Sequence, residues 1–375
     1  MIDINNKSIM KCSSVALISV FPLYTGTSVA VQDYRDALID LGYTVKVYQL
    51  VIPDQSTKYL DADFLIKGNK FLIKSLELPY NILFTLPKTL PKITEDIVVL
   101  TDPVMLNLNQ DLQKSIIIFH DLREFSKFNR NPLRKLFFLY MIRNLKENDK
   151  VLAISHQTKN DIKSFVKKKI DVQVVERCSR FNVDFNVINS RITAIWNKKV
   201  EINVLYIAAD RPYKNIKLFI GVARAVEKMH LNLEINFILL SKLTNSTKTF
   251  IKREHLKNLQ VLDTVRNLYD LYSKTDVFLF PSRVEGFGLP LVEAMSFGIP
   301  IIYSNKQPML DIVGEYGVAV DPSDINAWTR ELIAVLDRDK YKKMALLSYE
   351  RSKNYSFENF KKNLSEALKN FNLNL

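Results

Sequence analysis

At 375 residues the chain is long enough for two or three domains with full hydrophobic cores, which excludes a small scaffold held by staples. A composition of 47% hydrophobic and 25% charged residues excludes wholesale disorder and a polytopic membrane protein. The formal charge of +13 is spread over both halves and suits phosphorylated ligands, anionic lipid surfaces or nucleic acid without choosing among them. Cys12 and Cys178 are the only cysteines, too few for a disulfide framework or a zinc site, and point to a reducing compartment. The N-terminus carries Asp3 and one short apolar run, Val15–Phe21, stopped by Pro22. It lacks the basic start and cleavage site of a signal peptide, and no other apolar stretch reaches a membrane span, so a cytoplasmic protein is expected.

In chain order, Val15–Phe21, Thr44–Gln49, Ile97–Thr101, Ile116–Phe119 and Val151–Ile154 read as buried strands, and Val29–Leu41 as a helix ended by Gly42. A second series begins with Ile202–Ala208 and a helix from Asn215 to about Met229, followed by strands Ile235–Leu240 and Val261–Leu262. A helix about Arg266–Lys274, strand Val277–Phe280, a helix about Leu291–Phe297 and strand Ile299–Tyr303 complete it, and Ser356–Phe371 reads as a last helix. Strands alternating with helices mean parallel sheets, so an α/β chain of two doubly wound, Rossmann-like domains is expected, joined in the irregular stretch Arg177–Lys199. Nine glycines occur in all, and Gly286, Gly288, Gly298 and Gly314 crowd into one short segment.

That segment carries the chemistry. Pro281-Ser-Arg-Val-Glu285-Gly-Phe-Gly-Leu-Pro-Leu-Val-Glu293 follows a strand directly. Gly286 and Gly288 permit close backbone approach, Pro290 suits a first helical position, and free amides at the helix start face an anion. Glu285 in the loop and Glu293 in the first turn are acceptor-only groups suited to sugar hydroxyls, and a phosphate between two sugars is a nucleotide sugar. Equally, Glu293 complements the helix dipole, Glu285 is solvated and the glycines merely turn. Upstream, Tyr206-Ile-Ala-Ala-Asp-Arg211-Pro-Tyr-Lys214-Asn215 ends a strand and opens a helix with Asn215 as its N-cap, placing two cations where such domains bind ligands. His120-Asp121-Leu122 follows strand Ser115–Phe119; the histidine suits a substrate hydroxyl or a phosphate, or is a satisfied structural residue, and Asp121 caps a turn. Asp61-Ala62-Asp63 has metal-ligand spacing but no supporting ligands nearby and is rejected as a metal site.

Glu-Gly-Phe-Gly-Leu-Pro-x-x-Glu-Ala-Met, with Pro281-Ser282 before it and Gly298-x-Pro300 and Ser304-Asn305 after it, resembles the E-x7-E signature of retaining glycosyltransferase family 4, which has the GT-B fold. The resemblance implies two Rossmann-like domains facing each other across a cleft: an acceptor-side domain 1–185, a nucleotide-sugar domain 186–355, and a helix 356–375 crossing back to the first. It further implies that Glu293 binds the donor ribose, that Glu285 contacts the transferred sugar, and that the amides of Phe287, Gly288 and Leu289 lie along the donor phosphate and sugar. Arg211 and Lys214 would grip the diphosphate and His120 would reach the reacting sugar. Val151–Ser155 with Thr158 and Asp161 is similar to a family element closing the first domain. This sequence has Ala208-Ala209-Asp210-Arg211 where the family commonly starts that loop with Gly-Arg, and Gly26 is the only glycine near its first strand, so Gly26 and Asp121 mark the acceptor side.

The resulting expectation is a retaining, metal-independent hexosyltransferase without cofactor, working in polysaccharide or glycoconjugate biosynthesis. Its donor would be GDP-mannose in preference to a UDP-sugar, and its acceptor a glycan or a lipid-linked glycan. A nucleotide-sugar-binding protein without transfer activity and a basic nucleic-acid binder are the alternatives; no zinc-finger spacing, aromatic RNA signature or concentrated basic arm supports the latter, and no nucleic-acid partner is expected. The basic, apolar segment Asn131–Lys146 reads as a buried helix with solvated ends or as a peripheral contact with an anionic membrane at its inner face.

Overall fold

The computed structural model describes residues 13–19, 26–51, 62–68, 81–110, 115–122, 125, 132–198 and 201–373. The chain divides into two compact units, Met1–Arg177 with Phe357–Leu375, and Cys178–Ser356.

In the first unit, strands β1 (Ser14–Ser19), β2 (Thr44–Val51), β3 (Phe64–Lys67), β4 (Ile97–Leu100), β5 (Ser115–Phe119), β6 (Lys150–Ala153) and β7 (Asp171–Val174) form a parallel sheet ordered β3-β2-β1-β4-β5-β6-β7. The order reverses at β1 and β4, which pair Val15 with Ile97 and Ile18 with Leu100. Both faces are covered, so β1 and β5 read as unbroken apolar runs: Val15 to Ile18 and Ile116 to Phe119 are wholly buried. Helix Gly26–Asp40 stops at Gly42, whose φ of 91° needs glycine; Gly42 N–H donates to Ile39 O and Tyr43 N–H to Leu38 O, a Schellman ending. Helix Phe357–Asn370 packs on it, with the Tyr34 and Phe360 rings edge to face at 5.1 Å and Lys361 3.2 Å from Asp40.

The second unit repeats the plan with β8 (Glu201–Ile207), β9 (Glu234–Leu240), β10 (Leu259–Leu262), β11 (Val277–Phe280), β12 (Ile301–Ser304) and β13 (Val318–Val320), ordered β10-β9-β8-β11-β12-β13 and parallel. Its order reverses at β8 and β11, the place where a doubly wound sheet offers a ligand crevice.

The division falls at Arg177, not after residue 185, because the chain from Cys178 is tied to the second unit. Ser179 N–H donates to Tyr355 O at 2.9 Å, Tyr349 OH donates to Val183 O, and the Phe181 ring meets Phe297 at 5.2 Å. The expected irregular join is also corrected: most of it is helix Phe185–Lys198, with Ile188 and Ile192 buried one turn apart. From this helix Arg191 donates to the carbonyls of Phe297 and Gly298, a cation set on the end of helix Leu289–Ser296. Strands β3, β7 and β13 and helices Asn245–Glu254, Ile325–Val335 and Arg338–Ser352 were not foreseen.

Candidate active site

Helix Leu289–Ser296 begins two residues earlier than expected. Gly288 takes φ 112°, a left-handed cap conformation that an L side chain rarely adopts, and a Cβ there would meet Leu291 Cδ1 at 3.0 Å. Pro290 is therefore the second helical residue, and Glu293 lies in the second turn, not the first. Glu285, Gly286 and Phe287 are buried in the loop ahead of it, where the Phe287 ring packs edge-on against Tyr355 at 5.8 Å.

Glu285 is paired. Both its carboxylate oxygens accept from Lys214 Nζ, at 2.6 and 2.8 Å, and little of either side chain is exposed. The ammonium also lies 5.9 Å from the Phe280 ring centre and 5.8 Å from that of Tyr213. Lys214 ends a single 3-10 turn, Pro212–Lys214, and its carbonyl is gripped from beneath by the buried Tyr206 hydroxyl at 2.5 Å. Ser282 Oγ lies 3.0 Å from that hydroxyl and, since the tyrosine proton goes to Lys214 O, is the donor. Burial pushes the Tyr206 hydroxyl well above its ordinary value of 10.0, against the opposing donation from Ser282.

Asn215 does not cap the helix with its side chain. It sits in the left-handed region at φ 58°, and its amide donates sideways to Pro281 O at 3.2 Å and Pro322 O at 2.8 Å. One buried side chain thus ties together the loops that follow β8, β11 and β13. Arg211 is exposed at the loop's start, and neighbouring Asp210 accepts from the Thr244 N–H and hydroxyl at 2.8 and 2.7 Å. Glu293 is half-buried and accepts from the Tyr272 hydroxyl at 2.7 Å. Burial, then the charge of Glu293, holds that phenol well above 10.0. Lys214 and Glu285 are therefore brought together, Glu293 follows on the adjoining helix, and Arg211 stands at the rim of the lysine's loop.

In the first unit, His120 is buried after β5 with Nε2 2.8 Å from Thr101 O. A carbonyl only accepts, so Nε2 carries the proton, and in the neutral ring Nδ1 is an acceptor. Asp121 is half-buried, and its charge contributes, after burial, to raising the Asp161 carboxyl above 3.8. The Ser155-x-x-Thr158 element is a helix start: Ser155 Oγ accepts from Thr158 N–H at 3.1 Å. Gly26 opens helix Gly26–Asp40, and the loop before it, residues 20–25, lies outside the described residues. Asp61 also lies outside them, while Asp63 accepts from Val47 N–H at 2.7 Å, a structural use. Among the described residues no three His, Cys, Asp or Glu side chains gather into a metal-binding group.

Sequence reasoning missed Tyr206, Tyr272 and Ser282. A tyrosine within the apolar run Val204–Ile207 was the available signal for the first, because a buried phenol needs a partner.

Residues 191–351 match the family model of glycosyl transferases group 1. The chain carries a group 1 glycosyltransferase domain. Over 90 residues, 24% of each chain, it is 37% identical to the O-antigen chain mannosyltransferase B of Escherichia coli. Over 226 residues, 58% of this chain and 59% of the other, it is 26% identical to the O-antigen chain mannosyltransferase RfbU of Salmonella typhimurium. The matched stretches thus span less than two thirds of these relatives' own length. The structure resembles sucrose-phosphate synthase from Thermosynechococcus elongatus, with a TM-score of 0.74 at 17% identity over 96% of this chain and 98% of that one. The fold is of the GT-B class, and the group 1 domain contains Arg211, Lys214, Glu285 and Glu293.

Proposed function

We propose that this chain transfers a hexose, with retention and without a metal, from a nucleotide sugar to a glycan or lipid-linked acceptor. The observation that carries the proposal is the Lys214–Glu285 pair, whose carboxylate stands in the loop immediately before a glycine-capped helix start within the group 1 match. Breaking the anomeric C–O bond builds negative charge on the departing nucleotide diphosphate while the sugar becomes oxocarbenium-like. Lys214, Arg211 and the amides of Phe287, Gly288 and Leu289 answer the first change. Glu285 orients the sugar's hydroxyls while keeping the lysine aimed, Glu293 takes the ribose hydroxyls, and His120 accepts a hydroxyl of the transferred sugar. The leaving phosphate assists deprotonation of the incoming hydroxyl on the same face, which gives retention. Gly26 and Asp121 are assigned to the acceptor side. GDP-mannose is preferred as donor because His120-Asp121-Leu122 with Lys214-Asn215 suits a mannosyltransferase and two of the sequence relatives are so named. A thermal-shift screen against GDP, UDP, ADP and their sugars should give the largest rise with GDP-mannose. Proton NMR of the product should show the donor's anomeric configuration, with turnover unchanged in EDTA. An inverted product or loss of turnover in EDTA would refute the mechanism.

The membrane contact is assigned to helix Pro132–Arg143. It buries Phe138, Met141 and Ile142 on one side, while Leu136 and Tyr140, one turn apart, are 62% and 52% exposed beside exposed Arg143 on the other. An apolar outer face flanked by positive charge suits an anionic lipid surface at the inner face of a membrane. No helix among the described residues is long and apolar enough to cross a membrane. Sedimentation should rise with phosphatidylglycerol content and fall in Leu136→Ser/Tyr140→Ser; equal binding to neutral vesicles would reject electrostatic docking.

A further inference from the structure

The mechanism above makes no use of Tyr272, yet its environment is built around one task. The residue lies in the short helix Leu268–Ser273 after β10, is wholly buried, and directs its hydroxyl onto Glu293 Oε2 at 2.7 Å. Its ring is stacked on Phe297 at 5.4 Å and held edge-on by Phe181 at 5.7 Å. A phenol clamped on its faces cannot swing to another acceptor, so the hydrogen bond fixes the carboxylate's rotation. An ionised carboxylate has about four lone-pair sites, so it can accept hydroxyls while the tyrosine holds it.

We infer that Tyr272 is a positioning residue that sets Glu293 to read the two ribose hydroxyls of the donor nucleotide, and so makes the site specific for ribonucleotides. The inference rests on the donor-site assignment of Glu293 and adds to it the group that orients the carboxylate. An unanchored carboxylate would have to be ordered at each binding event; a pre-aimed one meets a vicinal diol without that cost.

The test measures binding of GDP, UDP and ADP, each beside its 2′,3′-dideoxy counterpart, to the full-length wild type, Tyr272→Phe and Glu293→Gln by titration calorimetry. The nucleotide that the wild type binds most tightly is followed. Wild type should prefer the ribose form, and Glu293→Gln should erase that preference. Tyr272→Phe, which keeps the ring, should cut the preference by on the order of tenfold, the size expected for a hydrogen bond to a charged group, with unchanged affinity for the dideoxy form. In turnover, KM for the donor should rise far more than kcat falls. A wild-type ribose preference in Tyr272→Phe would overturn the inference and leave the donor assignment standing. Equal weakening toward both sugars would also overturn it, because a packing defect does not distinguish them. Retention of the ribose preference in Glu293→Gln would overturn the donor assignment, and the inference with it.

Discussion

The two units hold polar groups at the carboxyl ends of buried parallel strands by different means. In the second unit each key side chain is tied by another side chain or spans loops itself: Glu285 holds the Lys214 ammonium, Tyr272 holds Glu293, and Asn215 joins the carbonyls of Pro281 and Pro322. In the first, His120 rests on a backbone carbonyl, that of Thr101, and Thr101 turns both its N–H and its hydroxyl onto Ile18 O. His120 is thereby tied to the spacing of β1, β4 and β5 themselves. Small polar deletions should therefore disturb the second unit's site while the sheet persists, whereas His120 moves only if its strands do.

The largest effect expected from this contrast is at Lys214. Lys214→Ala should lower kcat about 10²–10³-fold, the scale for loss of one preorganised charge-stabilising group. Removing either partner of so enclosed a pair also strands the other, at about 3–5 kcal/mol of unfolding free energy. Urea denaturation of Lys214→Ala, Glu285→Ala and the double variant checks this: the double should be much less destabilised than the sum of the singles. Strict additivity would show that the contact does not couple the two. At His120 the expectation is smaller and of another kind. His120→Ala should cost roughly 10–100-fold in kcat, as for loss of one or two hydrogen bonds, with nucleotide affinity unchanged by calorimetry. A matching loss of nucleotide affinity would break the division of roles between the units.

Asn215 sharpens the comparison further, because it serves two purposes that separate by substitution. Asn215→Gly keeps the left-handed backbone and removes the amide, whereas Asn215→Ala loses both. Deleting the buried donor should cost about 1–3 kcal/mol in either variant, and alanine should lose a further ~1 kcal/mol to backbone strain. Thermal unfolding with and without GDP reads both terms. Equal melting points for the two variants would show that backbone conformation is unimportant there.

The same contrast governs what the sequence disclosed. Strands such as Val277–Phe280 were legible because burial on both faces demands continuous apolar residues, and the Glu285–Glu293 segment because scarce glycines crowd into it. Helix Phe185–Lys198 was missed although Ile188 and Ile192 keep helical spacing, since Asn186, Asn189 and Asn197 read as loop residues. Asn215 was misassigned because an asparagine before a helix is ordinarily a side-chain cap; its use as a loop tie depends on carbonyls 66 and 107 residues away, which no local pattern contains. Tyr272 was invisible for the same reason: its partner is tertiary.

The smallest expected effect concerns Asp210, where the family's loop commonly begins with glycine and arginine. Its carboxylate is hydrogen-bonded to Thr244, the cap of helix Asn245–Glu254, with the charge of Arg211 a smaller influence. Burial alone would raise its pKa; donation from the Thr244 hydroxyl and N–H outweighs this and holds it below 3.8. A depressed folded pKa means the contribution is fully present above the ordinary carboxylate value and is lost as pH falls through the folded one. Asp210→Ala should cost about 0.5–1 kcal/mol near neutrality, in keeping with a lost cap, and the gap from wild type should close as pH drops below 3.8. Arg211→Ala, one residue on, should show the reverse pattern: a smaller pH-dependent gap in stability, since its charge is the least of the influences on Asp210, but slower turnover with unchanged helix content. Were Asp210→Ala to slow turnover as much as Arg211→Ala, the cap and the cation would have to be treated as one device, and the loop's departure from its relatives would be functional.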